Sequence, residues 1–308
     1  MDPAPASPPA FLPLPARAVL AVSGPDRRAF LQGLITNDIA RAGEARAIHA
    51  ALLTPQGRIL HDFAVVEQDE RYLFDVEATG ADALAKRLAT YKLRSKVAIE
   101  RLADWAVAAV IDADALRALG TDGEAGVAKR LAGGTGTAFV DPRLAALGAR
   151  VIAPATVLDG LEASGWRRDD PARHEALRLA LGVPEGTRDL ADGLPMENGL
   201  DPLNTLDWKK GCYVGQEVTA RMRYRGLTRK RLVPVRIAGV APEPGTPVML
   251  GGEEAGELRG SAGTRGLALL RIDKLDAAVE TGLAFTAADA TLTPERPAWL
   301  ADEDQPQG

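Results

Sequence analysis

Cysteine is nearly absent from this chain: Cys212 is the only one in 308 residues. A lone thiol cannot close an internal disulfide, and it cannot by itself hold a zinc ion or an iron–sulfur cluster. Histidine is almost as scarce, and His49, His61 and His174 are too scattered for metal-ligand spacing, so no metal site is expected within the chain. No apolar run reaches the ~18 residues that span a bilayer. The first residues, Met1 to Pro15, lack the basic start of a secretory signal, and no membrane association is expected. Positive charge is not in excess either. With 37 Lys+Arg against 42 Asp+Glu, the net charge is −5, which argues against direct nucleic-acid binding and leaves room only for a local basic patch. A single thiol without an export signal suits a reducing cytoplasm, and a cytoplasmic location is expected.

What is present is ordinary for a globular protein: 46% hydrophobic and 26% charged residues, in a chain long enough for two or three domains. The Pro/Ala-rich start reads as a disordered leader (1–16) and the acidic end, Ala301 to Gly308, as a loose tail. Strand-like alternation at Arg17 to Ser23 precedes a helix opened by Gly24-Pro25-Asp26. A hairpin turns at Pro55-Gln56-Gly57, and a helix follows over Gly80 to Leu93. A new unit starts near Lys96, with helices expected at Ala113 to Leu119, Thr156 to Ser164 and Pro171 to Leu181. Beyond Arg231, short strands punctuated by Pro and Gly read as a small β-barrel.

Cys212 lies in Lys209-Lys210-Gly211-Cys212-Tyr213-Val214-Gly215-Gln216-Glu217. Two glycines bracket the thiol, lysines precede it and a Gln-Glu pair follows, the composition of a tight loop feeding a helix. Backbone N–H groups and cations at such a position favour the thiolate, so a pKa below the ~8.5 of a free cysteine is expected. The plainer alternative is a small buried hydrophobe. Two periods compete over the next residues. Alternation of Arg221, Arg223 and Arg225 with Ala220, Met222 and Tyr224 suits a strand. Val214, Val218 and Met222, with Glu217, Arg221 and Arg225, recur every fourth residue and suit a helix, with Glu→Arg pairs of ~0.2–0.5 kcal/mol each and Gly226 as its cap. The spacing predicts the helix.

The run from Lys210 to Glu217, followed by Thr219-Ala220-Arg221, resembles the signature of YgfZ-type folate-binding proteins. These are relatives of the glycine-cleavage T-protein (aminomethyltransferase) that act in iron–sulfur cluster assembly. Phe30 to Asp38 resembles that family's first helix and turn, and Leu53 to Leu60 its hairpin. Val183 to Gly186, Asp189, Pro195-Met196-Glu197 and Leu206-Asp207-Trp208 resemble the approach to the cysteine motif in the mitochondrial-type branch. The likeness covers roughly residues 17 to 292.

The resemblance implies an α+β fold: a three-domain T-protein-like ring of two α+β domains and a C-terminal small β-barrel. The expected division is 17–95 plus 171–230 as a discontinuous folate-binding domain, 96–170 inserted, 231–295 as the barrel and 296–308 as tail. It implies tetrahydrofolate, or a polyglutamylated folate, as ligand, with Lys210, Gly211, Tyr213, Gly215, Gln216, Glu217, Arg221 and Arg225 as binding residues. Asp62 falls on the position of the T-protein's catalytic aspartate, which assists proton transfer at the folate. If its strand alternates, Asp62 shares a face with Leu60 and Ala64, where a carboxylate needs a partner; a structural aspartate bonded to loop amides fits the residues equally well. Asn37 and Asp38 suit turn closure. Asp141-Pro142-Arg143 and Arg150 resemble a segment in which an arginine meets a carboxylate. The basic run Arg221 to Arg231 suits a solvated face or a polyglutamate tail.

One departure matters. The T-protein carries Arg-x-Glu for pterin recognition where this chain has Arg178-Leu179-Ala180. Two functions follow from the resemblance: a folate-binding accessory protein for assembly or repair of [4Fe–4S] proteins acting through Cys212, or a tetrahydrofolate-dependent aminomethyltransferase using Asp62. The missing glutamate favours the first. Iron–sulfur assembly machinery and [4Fe–4S] clients are then the expected partners.

Overall fold

The computed structural model describes residues 8–300. In chain order the elements are β1 (Ala10–Pro13), β2 (Arg17–Ser23), α1 (Arg27–Gln32), β3 (Ile48–Leu53), β4 (Ile59–Gln68), β5 (Arg71–Glu77), α2 (Ala81–Lys92), β6 (Ala98–Arg101) and β7 (Trp105–Val110). Then come α3 (Ala113–Leu119), β8 (Ala128–Arg130), β9 (Thr137–Val140), β10 (Ala149–Pro154), α4 (Ala155–Ala163), β11 (Arg167–Arg168), α5 (Ala172–Leu181), α6 (Gly186–Leu190) and α7 (Gln216–Arg225). The last stretch is β12 (Lys230–Ala238), β13 (Pro247–Leu250), β14 (Glu253–Ala262), β15 (Arg265–Arg271), α8 (Ile272–Thr281), β16 (Phe285–Ala287) and β17 (Ala290–Pro294).

The chain divides into two compact units. One comprises Met1–Phe30, Ile39–His49 and Phe63–His174; the other comprises Leu31–Asp38, Ala50–Asp62 and Glu175–Gly308. In the first unit, β2 pairs antiparallel with β5 and β6, and β4 pairs with β5. A second sheet runs β11-β1-β7-β10-β9-β8. Its apolar residues, including Leu12, Val107, Phe139 and Ile152, pack with Val19, Val66 and Leu73 into one core.

Buried charge crosses this core as a network of three arginines on two aspartates. Arg17 and Arg150 both bond Asp75, at 2.6 and 2.9 Å, and Arg143 grips Asp141. Burial alone would raise the Asp141 carboxyl; Arg143 and Arg150 overcome it and hold the group well below the usual range. The arginine–carboxylate meeting expected around Asp141 is therefore made within the chain.

The second unit contains the closed barrel β12-β15-β14-β13-β16-β17, filled by Val235, Val248, Leu258, Leu270, Phe285 and Leu292. The α+β class with a terminal small barrel, inferred from sequence, is the class observed.

Three local expectations are corrected. The expected leader contains β1: Phe11 and Leu12 are fully buried, because β1 pairs with β7 and β11 and its side chains join the core. Met1 to Ser7 and the expected tail Ala301 to Gly308 lie outside the described residues. Within the barrel sequence, Ile272–Thr281 is helical rather than strand, with Gly282 in the left-handed region at φ 69° as its cap; Leu275 and Ala278 recur at helical spacing and lie against the barrel core. The helix predicted after the cysteine is α7, closed as expected by Gly226 at φ 60°. It begins at Gln216, however, and not near Gly211.

Candidate functional site

The cysteine loop is held in the second unit by an early turn of the chain. Thr36 is fully buried; its hydroxyl donates to the Thr205 carbonyl at 2.7 Å and accepts the Ala51 N–H. Asn37 donates to the Asn204 carbonyl at 2.7 Å and accepts the Asp38 N–H, the turn-closing use expected of it. Lys210 then fixes the loop itself. Its ammonium donates to the carbonyls of Ile35 at 2.5 Å and Asn37 at 2.8 Å, and lies 5.3 Å from the centre of the Tyr213 ring. Gln32 donates to the Lys210 carbonyl. Burial, opposed only in part by Asp38 and Asp207, pushes the Lys210 amine down to about 8.

The far side of the loop is fixed by close backbone approach. Gly215 sits at φ +84° as the N-cap of α7. A β-carbon there would stand 2.6 Å from the Thr54 carbonyl oxygen and 3.1 Å from Gly57 Cα. Gly57, at φ +76°, meets Val218 and the Gly215 carbonyl in return. The hairpin tip and the start of α7 can touch only because both positions lack a side chain. Gln216 accepts the Tyr213 N–H, and the Thr219 hydroxyl donates to the Gly215 carbonyl.

Between these two anchors Cys212 is exposed, which excludes the buried-hydrophobe alternative. The helix-start argument does not carry over, because α7 begins four residues later and a helix end acts only within its first turn. Lys210 likewise directs its ammonium at two carbonyls and not at the sulfur.

Around the loop stands an aromatic and charged cluster that the sequence did not reveal. Trp208 donates its indole N–H to Asp201 at 2.7 Å, and the Arg223 guanidinium lies 4.3 Å from the Trp208 ring centre and 3.6 Å from Asp201. Tyr213 packs with Ala51, Leu53, Ile59 and Leu206. Its hydroxyl is buried with no hydrogen-bond partner among the described residues. Burial first, then Asp201 and Asp207, pushes that hydroxyl well above the ordinary phenol range. The adjacent Leu206-Asp207-Trp208 and the repeating positions of α7 were the available signals, but nothing in the sequence pairs Arg223 with Trp208.

Asp62 is buried, and its Oδ1 accepts the Gly186 N–H at 3.0 Å. It stands three residues into β4 from Ile59, roughly 10 Å at ~3.3 Å per residue. Asp62 and Cys212 are thus fixed by different contacts: Asp62 by the start of α6, Cys212 by the early turn and the hairpin tip.

Arg178, on the Arg-x-Ala segment, is buried and spent inside the unit, on Asp189 at 2.6 Å, Glu175 at 2.8 Å and the Val183 carbonyl. Of the expected binding residues, Lys210 and Tyr213 point inward and Gly211 lies in open space. Glu217 and Arg221 are exposed and paired with each other at 2.8 Å, and Arg225 is exposed at the end of α7. Among the described residues no three His, Cys, Asp or Glu side chains converge in a metal-binding group.

Comparison with known proteins now gives this geometry a context. The family described as CAF17, C-terminal beta-barrel domain, matches residues 229–302. The chain is 36% identical to the human mitochondrial iron-sulfur cluster assembly factor IBA57, with 93% of this chain and 84% of the human protein covered. It is also 36% identical to the mitochondrial IBA57 homolog of Neurospora crassa over 75% of this chain, and there it spans about half, 54%, of the fungal protein's length. Among solved structures it is similar to the glycine cleavage system aminomethyltransferase T of Bartonella henselae, with a TM-score of 0.74, 16% identity, and 94% of this chain and 85% of that one covered. At that identity the likeness shows the fold. The expectation of a cytoplasmic location is overturned, because these relatives are mitochondrial. A lone cysteine has no partner within the chain to pair with, so it does not distinguish one compartment from another.

Proposed function

Because this chain belongs to the IBA57 family of iron–sulfur cluster assembly factors, we propose that it supports assembly or repair of [4Fe–4S] proteins through the thiol of Cys212. The observation that carries this reading is the exposed, solitary cysteine on a loop pinned at both flanks, by Lys210 on one side and Gly215 on the other. A pinned loop presents a nucleophilic or ligating sulfur at a fixed place without a large ordering cost on binding. The cluster is cargo. One thiol supplies one ligand, so a cluster touching Cys212 shares its remaining ligands with a second molecule.

Deleting the gene should lower [4Fe–4S] enzyme activities and spare [2Fe–2S] enzymes. The wild-type chain should restore them and Cys212→Ala should not. Full restoration by Cys212→Ala overturns the reading.

Folate is proposed as a second ligand, on the strength of the sequence resemblance, and the residues fit it at one end. Exposed Arg221 and Arg225 suit a carboxylate tail, and Asp62 supplies a buried carboxylate. The pterin end lacks its expected clamp, since Ala180 replaces the glutamate and Arg178 is committed to Glu175 and Asp189. Binding without aminomethyl transfer follows. Calorimetric titration should detect tetrahydrofolate and, more tightly, its triglutamate; no heat and no thermal shift at millimolar ligand removes the folate. Folate-dependent ammonia release from an aminomethylated lipoyl carrier would promote the transferase alternative.

A further inference from the structure

The outward face of α7 carries a feature that a folate tail leaves unused. Turning 100° per residue, the helix buries Thr219 and Met222 and turns Glu217, Arg221, Tyr224 and Arg225 outward. Tyr224 is 79% exposed and Leu227, just past the helix, 44% exposed. Arg229 and Lys230 follow, also exposed. Arg225 and Arg229 make no side-chain ion pair among the described residues; Glu217 is the only carboxylate that α7 itself contributes, and Glu197 lies beside the backbone of Arg229 and Lys230. This basic strip stands out in a chain whose net charge is −5.

We propose that this face docks an acidic, partly apolar segment of a partner protein, and that the strip thereby brings the partner alongside Cys212. Three considerations select a protein. Arginine and tyrosine side by side are the composition of interface hot spots. A chain of carboxylates would satisfy the arginines but leave Tyr224 and Leu227 in water, whereas an acidic protein segment covers both. Nucleic acid is disfavoured by the overall negative charge, and a lipid surface by the orientation of α7, whose apolar side is already turned inward. A ten-residue helix is ~15 Å long, so a partner seated on it reaches the loop that precedes it. That the partner is an iron–sulfur protein rests on the function proposed above; the docking face does not.

The test places p-benzoylphenylalanine at position 224 of the full chain, in cells lacking the native copy, and identifies the photo-adducts by mass spectrometry. The expected adduct is an acidic iron–sulfur polypeptide. Its yield should fall about tenfold in Arg221→Glu/Arg225→Glu, the effect of removing complementary rim charge, while the melting temperature of that variant falls by no more than a few degrees, the cost of a like-charge pair with Glu217 and of carboxylates at the end of α7. Adducts to RNA or lipid only, no adduct, or a yield indifferent to charge reversal would each overturn the proposal. Cys212→Ser separates the two readings. The adduct should persist in that variant, and full complementation by it would remove the thiol function while leaving the docking face in place.

Discussion

Replacing Gly215 by alanine tests whether the close approach of the hairpin tip to α7 positions the cysteine loop. Two glycines flank Cys212 in nearly the same backbone conformation, Gly211 at φ +86° and Gly215 at φ +84°. Alanine at either position incurs the left-handed backbone cost, ~1–2 kcal/mol. Only the surroundings differ. A β-carbon at Gly211 meets nothing within 4 Å, while at Gly215 it meets the Thr54 carbonyl oxygen at 2.6 Å, Leu53 Cβ at 3.0 Å and Gly57 Cα at 3.1 Å. Two of those three atoms are backbone and cannot rotate aside, so an overpacking cost of ~1–3 kcal/mol is added. Gly57→Ala falls between, because its contacts are tight but longer, Val218 Cβ at 3.0 Å and the Gly215 carbonyl oxygen at 3.3 Å.

At ~2–4 °C per kcal/mol for a domain of this class, Gly211→Ala should lower the melting temperature by roughly 2–8 °C, and Gly215→Ala by a further ~2–12 °C from its overpacking. Gly215→Ala should also fail to restore [4Fe–4S] enzymes at a permissive temperature at which it is folded, because α7 can relieve the clash only by lifting the loop from the hairpin. Differential scanning calorimetry and complementation of the three variants form the assay. Equal losses in Gly211→Ala and Gly215→Ala would show that backbone strain alone matters and would refute the packing argument.

Two further outcomes follow from the same loop. The folded chain releases the Lys210 proton near pH 8, whereas an unfolded lysine holds it to ~10.4. Raising the pH through that window therefore favours the folded state, by up to about 3 kcal/mol; chemical denaturation of wild type and Lys210→Met at pH 7.5 and 10 should show this gain in the wild type only, and parallel pH dependences would refute it. The buried Tyr213 hydroxyl lacks a partner among the described residues, so Tyr213→Phe should raise stability by about 1 kcal/mol; a loss of stability in denaturant titration would mean that the hydroxyl is satisfied in solution.

Much of the fold could be read from local pattern. The spacing of Val218 and Met222 and of Glu217 and Arg221 selects helix over strand for α7, and the Glu217–Arg221 pair is made at 2.8 Å. Its start is not legible in the sequence, because Gly211 and Gly215 both punctuate the loop and the chain turns at each before the helix begins. Strand β1 was hidden by its Pro/Ala-rich setting, since a strand of four residues is specified by the partners it finds, here β7 and β11. Helix α8 was hidden among the barrel strands, where a ten-residue apolar spacing competes with turn signals on both sides.

The site was less legible, and for a definite reason. Lys210 looked like a cation placed for the sulfur, but its partners are carbonyls 175 and 173 residues earlier in the chain, beyond the reach of any local pattern. The same holds for Gly215, whose need for a bare α-carbon is imposed by Thr54 and Gly57. Exposure of Cys212 follows from these distant constraints. Lys210 and Tyr213 are both drawn inward, one by carbonyls and the other by an apolar cluster, and Gly215 is pressed against the hairpin. Of the residues between the anchors only Gly211 and Cys212 remain turned to solvent, and Cys212 is the one that carries chemistry. The lysine therefore positions the thiol by holding the chain on one side of it, as Gly215 does on the other.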